Sequence, residues 1–198
     1  MLKHRYIEMP IVEDLGKKMV FISGPRQVGK TTLARTIGKK HYPAVSYLNW
    51  DNPDHRKVIL ENSFDPTAKL LIFDELHKYR SWKQDLKGLY DTYRDRFAII
   101  VTGSARLDLY RRGGDSLMGR YHAWRLHPFT LAEIIGSAPQ HALVPFKELP
   151  FAYTATPSSR SLFESLHTFG GFPEPLFAQN IKTLRRWQNE RLDRMIRE

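Results

Sequence analysis

The chain contains no cysteine. Disulfides and thiolate metal sites are therefore excluded, and the composition fits a cytoplasmic location. No apolar run approaches the roughly 20 residues that a membrane-spanning helix needs. The opening Met-Leu-Lys-His-Arg-Tyr leads to acidic residues rather than an apolar signal core, so secretion is not expected. The eight histidines are scattered. No two of them stand at i, i+4 with a glutamate beside them, the pairing that would support a zinc site. Internal repeats and low-complexity tracts are also missing. Acidic charge is in deficit, with 21 Asp plus Glu against 31 Lys plus Arg and a net charge of +10. That balance favours an anionic contact. Nucleic acid is one candidate. A basic surface facing an acidic domain or partner is the other, and the even spread of the basic residues favours it. The 198 residues suffice for one α/β domain and a small appendage, and a hydrophobic content of 41% is ordinary.

Against these absences stands one dense motif. Gly24, Pro25, Arg26, Gln27, Val28, Gly29, Lys30 and Thr31 fit the P-loop pattern of glycine, four free positions, Gly-Lys and Ser or Thr. Two glycines let the backbone curl so that successive N–H groups point at phosphate oxygens. Lys30 is placed to reach the β- and γ-phosphates, and Thr31 to offer a hydroxyl to Mg²⁺. The apolar run Met19 to Ser23 reads as a buried strand. Thr32 to Lys40 reads as a helix whose positive N-terminus would add to the anion site. Thr32 completes the expected nucleotide-binding segment.

Further strands are expected at Ala44–Leu48, Lys69–Phe73, Phe97–Thr102 and Tyr121–Leu126, with helices between them. These include Ile11–Lys18 as a short helix or turn, a helix with Pro53 near its start, His77–Arg94, and one near Arg106. Near-continuous apolar strands alternating with helices imply a mostly parallel sheet covered on both faces. Chemistry then belongs at the carboxyl ends of the strands. Composition changes between Gly136 and Arg160, which read as a linker, although Ala142–Leu149 could hold a short element. Ser161–Phe169 reads as a helix, Gly170–Pro175 as a rigid turn, and Ile181–Glu198 as a charged amphipathic helix. That last helix meets no cap, glycine or proline, so the chain reads as part of a longer protein. The expected organisation is a nucleotide domain over 1–135, a linker over 136–160 and the helical start of a truncated region over 161–198.

Lys69 to Glu75 is an apolar strand ending in Asp-Glu, the Walker B pattern. Asp74 is expected to hold Mg²⁺ through water, and Glu75 to orient and polarise an attacking water. Ser104, or Thr102, ends the next strand where a polar group could sense the γ-phosphate. Arg120 precedes the last strand. It is either an arginine offered to a neighbouring subunit's nucleotide or a plain ion-pairing residue. Arg111 and Arg112 are weaker candidates. Asp51, after the second strand, could face the nucleotide or a substrate, but a turn or helix-cap role is favoured; His77 reads as either a neighbour of the acids or a surface residue. Trp82, Tyr90, Tyr93 and Phe97 read as packing. The arginines of the last helix read as a solvated or interdomain face.

Together with Tyr47-Leu48-Asn49-Trp50-Asp51, Phe73 to Lys78, Val101 to Ala105, Gly119-Arg120 and Pro128-Phe129-Thr130, the P-loop resembles a family of prokaryotic AAA-type ATPases. In that family the ATPase domain precedes a C-terminal domain of poorly known function. The Gly170–Pro175 segment is similar to the junction. The resemblance implies an α/β P-loop NTPase of the additional-strand type, with five mostly parallel strands and a small helical appendage. It also implies ATP binding, Mg²⁺ dependence, slow hydrolysis and a macromolecular partner, with homo-oligomers possible. A small-molecule kinase is the first rival, but the Asp-Glu pair argues against it. No Asn-Lys-x-Asp or Leu-Ser-Gly-Gly segment points to a GTP switch or an ABC protein. An ATP-gated nucleic-acid-binding module is the second rival, supported by the net charge.

Overall fold

The computed structural model describes residues 4–103, 117–136 and 157–197. The expected helix near Arg106, residues Arg111 and Arg112, the Ala142–Leu149 element and most of the linker lie outside the described residues. Those described fall into two compact units. One is Ile7–His127; the other joins residues 4–6 to those from Pro128 onward.

The first unit carries α1 (Glu8–Leu15), β1 (Met19–Ser23), α2 (Lys30–His41), β2 (Val45–Asn49) and α3 (Pro53–Glu61). Then come β3 (Leu70–Asp74), a 3-10 turn (Leu76–Lys78), α4 (Trp82–Tyr93), β4 (Ala98–Thr102) and β5 (Tyr121–Arg125). The five strands form one sheet in the order β2-β3-β4-β1-β5. Every pairing is parallel, so "mostly parallel" becomes wholly parallel. β4 lies between the P-loop strand β1 and β3, the additional-strand arrangement expected from the chain order.

Burial explains the apolar runs. β1 and β3 are buried at every position. Alternation then assigns the faces. Phe21, Leu71, Phe73 and Val101 cluster with Trp82, Leu86 and Leu89 of α4. Leu70 points the other way, where Gly38 of α2 lies against it and Val45. Helices therefore cover both faces. Phe97 is buried in the α4 cluster, with Tyr90 and Tyr93 packed against it, as expected of core aromatics. Asn52 caps α3, accepting from the N–H groups of Asp54 and His55, and Pro53 follows as first helical residue.

The expected helix His77–Arg94 is interrupted. Glu75 adopts a left-handed conformation (φ 58°), a 3-10 turn follows, and α4 begins only at Trp82.

The second unit holds α5 (Leu131–Ile135), α6 (Pro157–Phe169), α7 (Pro173–Ala178) and α8 (Ile181–Arg197). α5 was not anticipated, although Thr130 and Glu133 form a full capping box. It lies inside the stretch assigned above to the nucleotide domain, yet Phe129 and Ile134 cluster with Leu176 of α7. The Gly170–Pro175 turn leads directly into α7, with Pro173 at its first turn. Gly171 is required by proximity, because a Cβ there would stand 2.5 Å from the Phe129 carbonyl oxygen. Among the described residues no helix is long and apolar enough to cross a membrane.

Candidate functional site

The loop after β1 is shaped by glycine. Gly24 has φ +143°, and a Cβ on it would meet the Leu126 carbonyl oxygen at 2.4 Å. Gly29 is left-handed (φ 99°) and brings no capping side chain to α2. The first-turn N–H groups of that helix are thus left pointing at the loop, where an anion is favoured. Val28 is fully buried and pins the loop to the domain, while Arg26 and Gln27 are exposed.

Lys30 is the first residue of α2 and is buried. Its Nζ donates to the carbonyls of Gly24 (3.0 Å) and Pro25 (2.7 Å), so the amine sits inside the loop's own curve. Burial pushes the Lys30 ammonium below its ordinary value. The carboxylates of Glu75 and Asp74 oppose that shift, and Arg26 adds to it. Thr31 comes next on the helix and Thr32 is exposed.

Parallel pairing sets Asp74 at the end of β3, opposite Asn49 of β2 and Thr102 of β4. Its carboxylate is buried and takes three hydroxyl donors. Thr31 Oγ1 donates to Oδ2 at 2.8 Å, Tyr47 Oη donates to the same oxygen at 2.7 Å, and Thr102 Oγ1 donates to Oδ1. Burial, then the bond to Asp74, pushes the Tyr47 phenol up to about 12.

Glu75 is partly exposed, and its N–H donates to the Thr102 carbonyl at 3.1 Å. Its Oε2 lies 3.3 Å from Lys78 Nζ and 3.8 Å from His77 Nε2. Lys78 Nζ also lies 2.6 Å from Asp51 Oδ2. Asp51 thus stands in the turn after β2, as the turn reading expected, and pairs with Lys78, while the cap of α3 comes from Asn52. Desolvation lowers the Lys78 ammonium, but the bond to Asp51 and the charge of Glu75 outweigh it and raise it on balance.

The structure thus gathers Gly24–Thr32, Asp74 and Glu75 at the carboxyl end of the sheet. Ser104 lies outside the described residues, and Thr102, its alternative, is fully buried against Asp74. Arg120 is not brought there. It precedes β5, where Met19 N–H donates to its carbonyl at 3.1 Å, at the amino end of the same sheet. Five strand residues at about 3.3 Å each put roughly 16 Å between the two ends. Arg120 instead grips Asp91 of α4 through Nε (2.7 Å) and a terminal nitrogen (2.9 Å). This bond, above all, holds the Asp91 carboxyl below the usual range.

Tyr47 is the site residue that the sequence reading missed. It pairs in register with Ile72. Tyr47 and Asp74 therefore share a face two positions apart on adjacent strands, within reach of a phenol.

A glycine-curled loop with an amine in its bend, beside a helix N-terminus, can bind a chain of phosphates. Residues 16–135 match the AAA domain family. The chain belongs to that family. As an AAA domain it is an α/β P-loop NTPase that binds nucleotide. It is also similar to the uncharacterized protein Rv2008c of Mycobacterium tuberculosis and the uncharacterized protein Mb2031c of Mycobacterium bovis. Each is 29% identical over 122 residues, which cover 61% of this chain and 27% of the relative. The chain thus spans about a quarter of the length of the curated relatives it matches. Among solved structures it resembles the RuvB Holliday junction branch migration motor of Thermotoga maritima, with a TM-score of 0.45 and 19% identity over 66% of this chain and 46% of that one. It also resembles a Bacteroides Pif1 bound to ssDNA, with a TM-score of 0.40 and 14% identity over 64% of this chain and 42% of that one.

The donors suit Mg²⁺ rather than an all-protein metal cage. Among the described residues no group of three or more His, Cys, Asp or Glu could hold a metal. Thr31 and Asp74 are hard oxygen donors, and Mg²⁺ takes one or two such groups together with phosphates and water. Thr31 gives its proton to Asp74, which leaves its lone pairs for a cation. A carboxylate offers about four acceptor positions. Three donors here leave one for a metal-bound water.

Proposed function

We propose that this AAA domain hydrolyses ATP with Mg²⁺ and uses the cycle to change shape against a macromolecular partner. The observation that carries the reading is the Thr31–Asp74 hydrogen bond at 2.8 Å, beside the Lys30 amine seated in the loop. It joins the two phosphate-handling segments into one site.

In this reading the backbone N–H groups of Gly24 to Thr32 and the Lys30 ammonium bind the β- and γ-phosphates. Thr31 and Asp74 hold Mg²⁺, which supplies neutralisation of the phosphate charge. Glu75 accepts the proton of a water whose oxygen bonds to the γ-phosphorus as the bond to the ADP oxygen breaks. Its contact with Lys78 must loosen for Glu75 to turn to that water. Ser104, two residues beyond β4 in the sequence, serves as the polar sensor. Arg120 lies too far from its own loop to serve it and is paired with Asp91, so a role toward the nucleotide of a neighbouring copy would require that pair to open. ATP rather than GTP follows from the family resemblance.

The test is phosphate release from ATP with Mg²⁺. The parent turns over, Glu75→Gln binds ATP without turnover, and Lys30→Ala loses binding. A parent that binds ATP and releases no phosphate withdraws the hydrolase reading for this chain. For Arg120, mixing inactive Arg120→Ala with inactive Lys30→Ala chains restores part of the turnover if the arginine acts between copies. No recovery contradicts that role.

Nucleic acid is one partner that the net charge of +10 would suit. Retention on DNA that falls steeply with salt supports this choice, and no retention at low salt removes it.

A further inference from the structure

We infer that Tyr47 is a positioning residue for the Mg²⁺ half of the site, its hydroxyl fixing the Asp74 carboxylate that faces the metal's water shell. The inference rests on the reading of Thr31 and Asp74 as the residues that hold the metal.

The three donors to Asp74 are not equivalent. Thr31 comes from α2, and in this reading its lone pairs would serve the metal, so it would be a ligand as well as a donor. Tyr47 and Thr102 come from the strands on either side of β3. Thr102 holds Oδ1 from β4, and Tyr47 holds Oδ2 from β2. An aspartate carboxylate rotates easily about its last bond, with broad minima. Two donors on opposite strands, one on each oxygen, remove that freedom. Without the Tyr47 hydroxyl, Oδ2 keeps only Thr31, the group whose geometry the metal itself sets.

The phenol is held independently of this bond. The Arg35 guanidinium of α2 lies 3.8 Å over its ring, a cation–π contact. The His55 ring of α3 meets it edge-on at 6.4 Å. His55 is itself fixed, because its Nδ1 accepts from the Asn49 N–H at 3.1 Å. Packing on α2 and α3 therefore determines where the hydroxyl stands, and the hydroxyl determines how Asp74 stands. Groups that orient metal-facing carboxylates typically change metal affinity or activity by about 10–100-fold when removed.

The plain alternative is a half-buried phenol that found a convenient acceptor and matters only for folding. Tyr47→Phe separates the two, because it keeps the ring and the Arg35 stack and loses only the hydroxyl. Mg²⁺ is titrated into the full chain saturated with a fluorescent ATP analogue, and nucleotide affinity is measured separately in EDTA. Tyr47→Phe is expected to need about tenfold more Mg²⁺ for half-saturation. Its metal-free nucleotide affinity stays within about twofold of the parent, since Tyr47 touches neither the loop nor Lys30. Equal Mg²⁺ half-saturation in the two chains overturns the inference. So does a loss of nucleotide affinity that is equally large in EDTA. A parent whose nucleotide binding ignores Mg²⁺ altogether instead removes the reading of Thr31 and Asp74, and the role of Tyr47 with it.

Discussion

Gly24→Ala probes the joint between the phosphate loop and the edge of the sheet. A Cβ at Gly24 would stand 2.4 Å from the Leu126 carbonyl oxygen and 3.3 Å from its carbon. Both are backbone atoms, so no side-chain rotation relieves the overlap. Leu126 is also tied back to the end of β1, its N–H donating to the Ser23 carbonyl at 2.8 Å. Two costs follow. Holding an L residue at φ +143° costs about 1–3 kcal/mol. Forcing an extra carbon into a packed contact costs about 1–3 kcal/mol more. Together they come to roughly 2–6 kcal/mol, against a typical domain stability of about 5–15 kcal/mol. Gly88 is the internal control. It lies exposed in α4 with nothing within 4 Å of an added Cβ, so Gly88→Ala should stabilise by about 1 kcal/mol through helix propensity. Urea unfolding of the parent and both variants reads the difference as opposite shifts of the midpoint at similar slope. A Gly24→Ala midpoint at or above the parent's refutes the reasoning. So does a Gly88→Ala chain as damaged as Gly24→Ala.

Three further expectations follow from single contacts. Asn52→Ala removes the cap of α3 and should cost about 1 kcal/mol in the same unfolding experiment. Glu133→Ala removes the carboxylate 3.1 Å from buried Arg5, and takes the acceptor from the Thr130 and Tyr6 N–H groups. The second unit should lose roughly 1–3 kcal/mol, read from its unfolding midpoint. Tyr47 supplies a pH dependence. Its phenol titrates near 10.0 when unfolded and about 12 when folded, so the folded chain keeps the proton longer. The associated stability is complete below pH 10 and is lost as pH rises toward 12. Parent stability should therefore fall more steeply than that of Tyr47→Phe across this window, and parallel curves refute the assignment.

The sheet was legible because its three central strands, β3, β4 and β1, are buried on both faces. Runs such as Leu70–Phe73 and Ile99–Val101 carry no polar interruption, and turn residues separate them from the helices. The two acids at the end of β3 and the glycine loop after β1 were legible for the same reason, since each ends an unmistakable strand. The 3-10 turn after Glu75 was not. Trp82, Leu86, Leu89, Tyr90 and Tyr93 keep an apolar spacing that suits a helix, but nothing in that spacing marks the extended backbone at Tyr79 that ends the 3-10 turn and delays α4 to Trp82. α5 was overlooked because five residues are too few for a periodic pattern, although the Thr130–Glu133 capping box announced it. From the sequence Tyr47 reads as a residue of the second strand and of the Tyr47–Asp51 segment, with no role of its own. Its role depends on register between β2 and β3, which no single segment encodes. The signal available was a tyrosine two residues before the polar end of a strand that borders the acids. The arginines of α8 also hid one exception to a solvated face. The Arg191 guanidinium lies 4.1 Å over the Phe172 ring and 5.0 Å over that of Trp187.

The most direct test of the central claim is backbone amide exchange of the full chain with and without ATP and Mg²⁺. The account predicts new protection concentrated on residues 24–32, a smaller effect at Asp74 and Glu75, and neither in Lys30→Ala. Unchanged exchange across 24–32 at saturating ATP, or protection confined to another part of the chain, contradicts it.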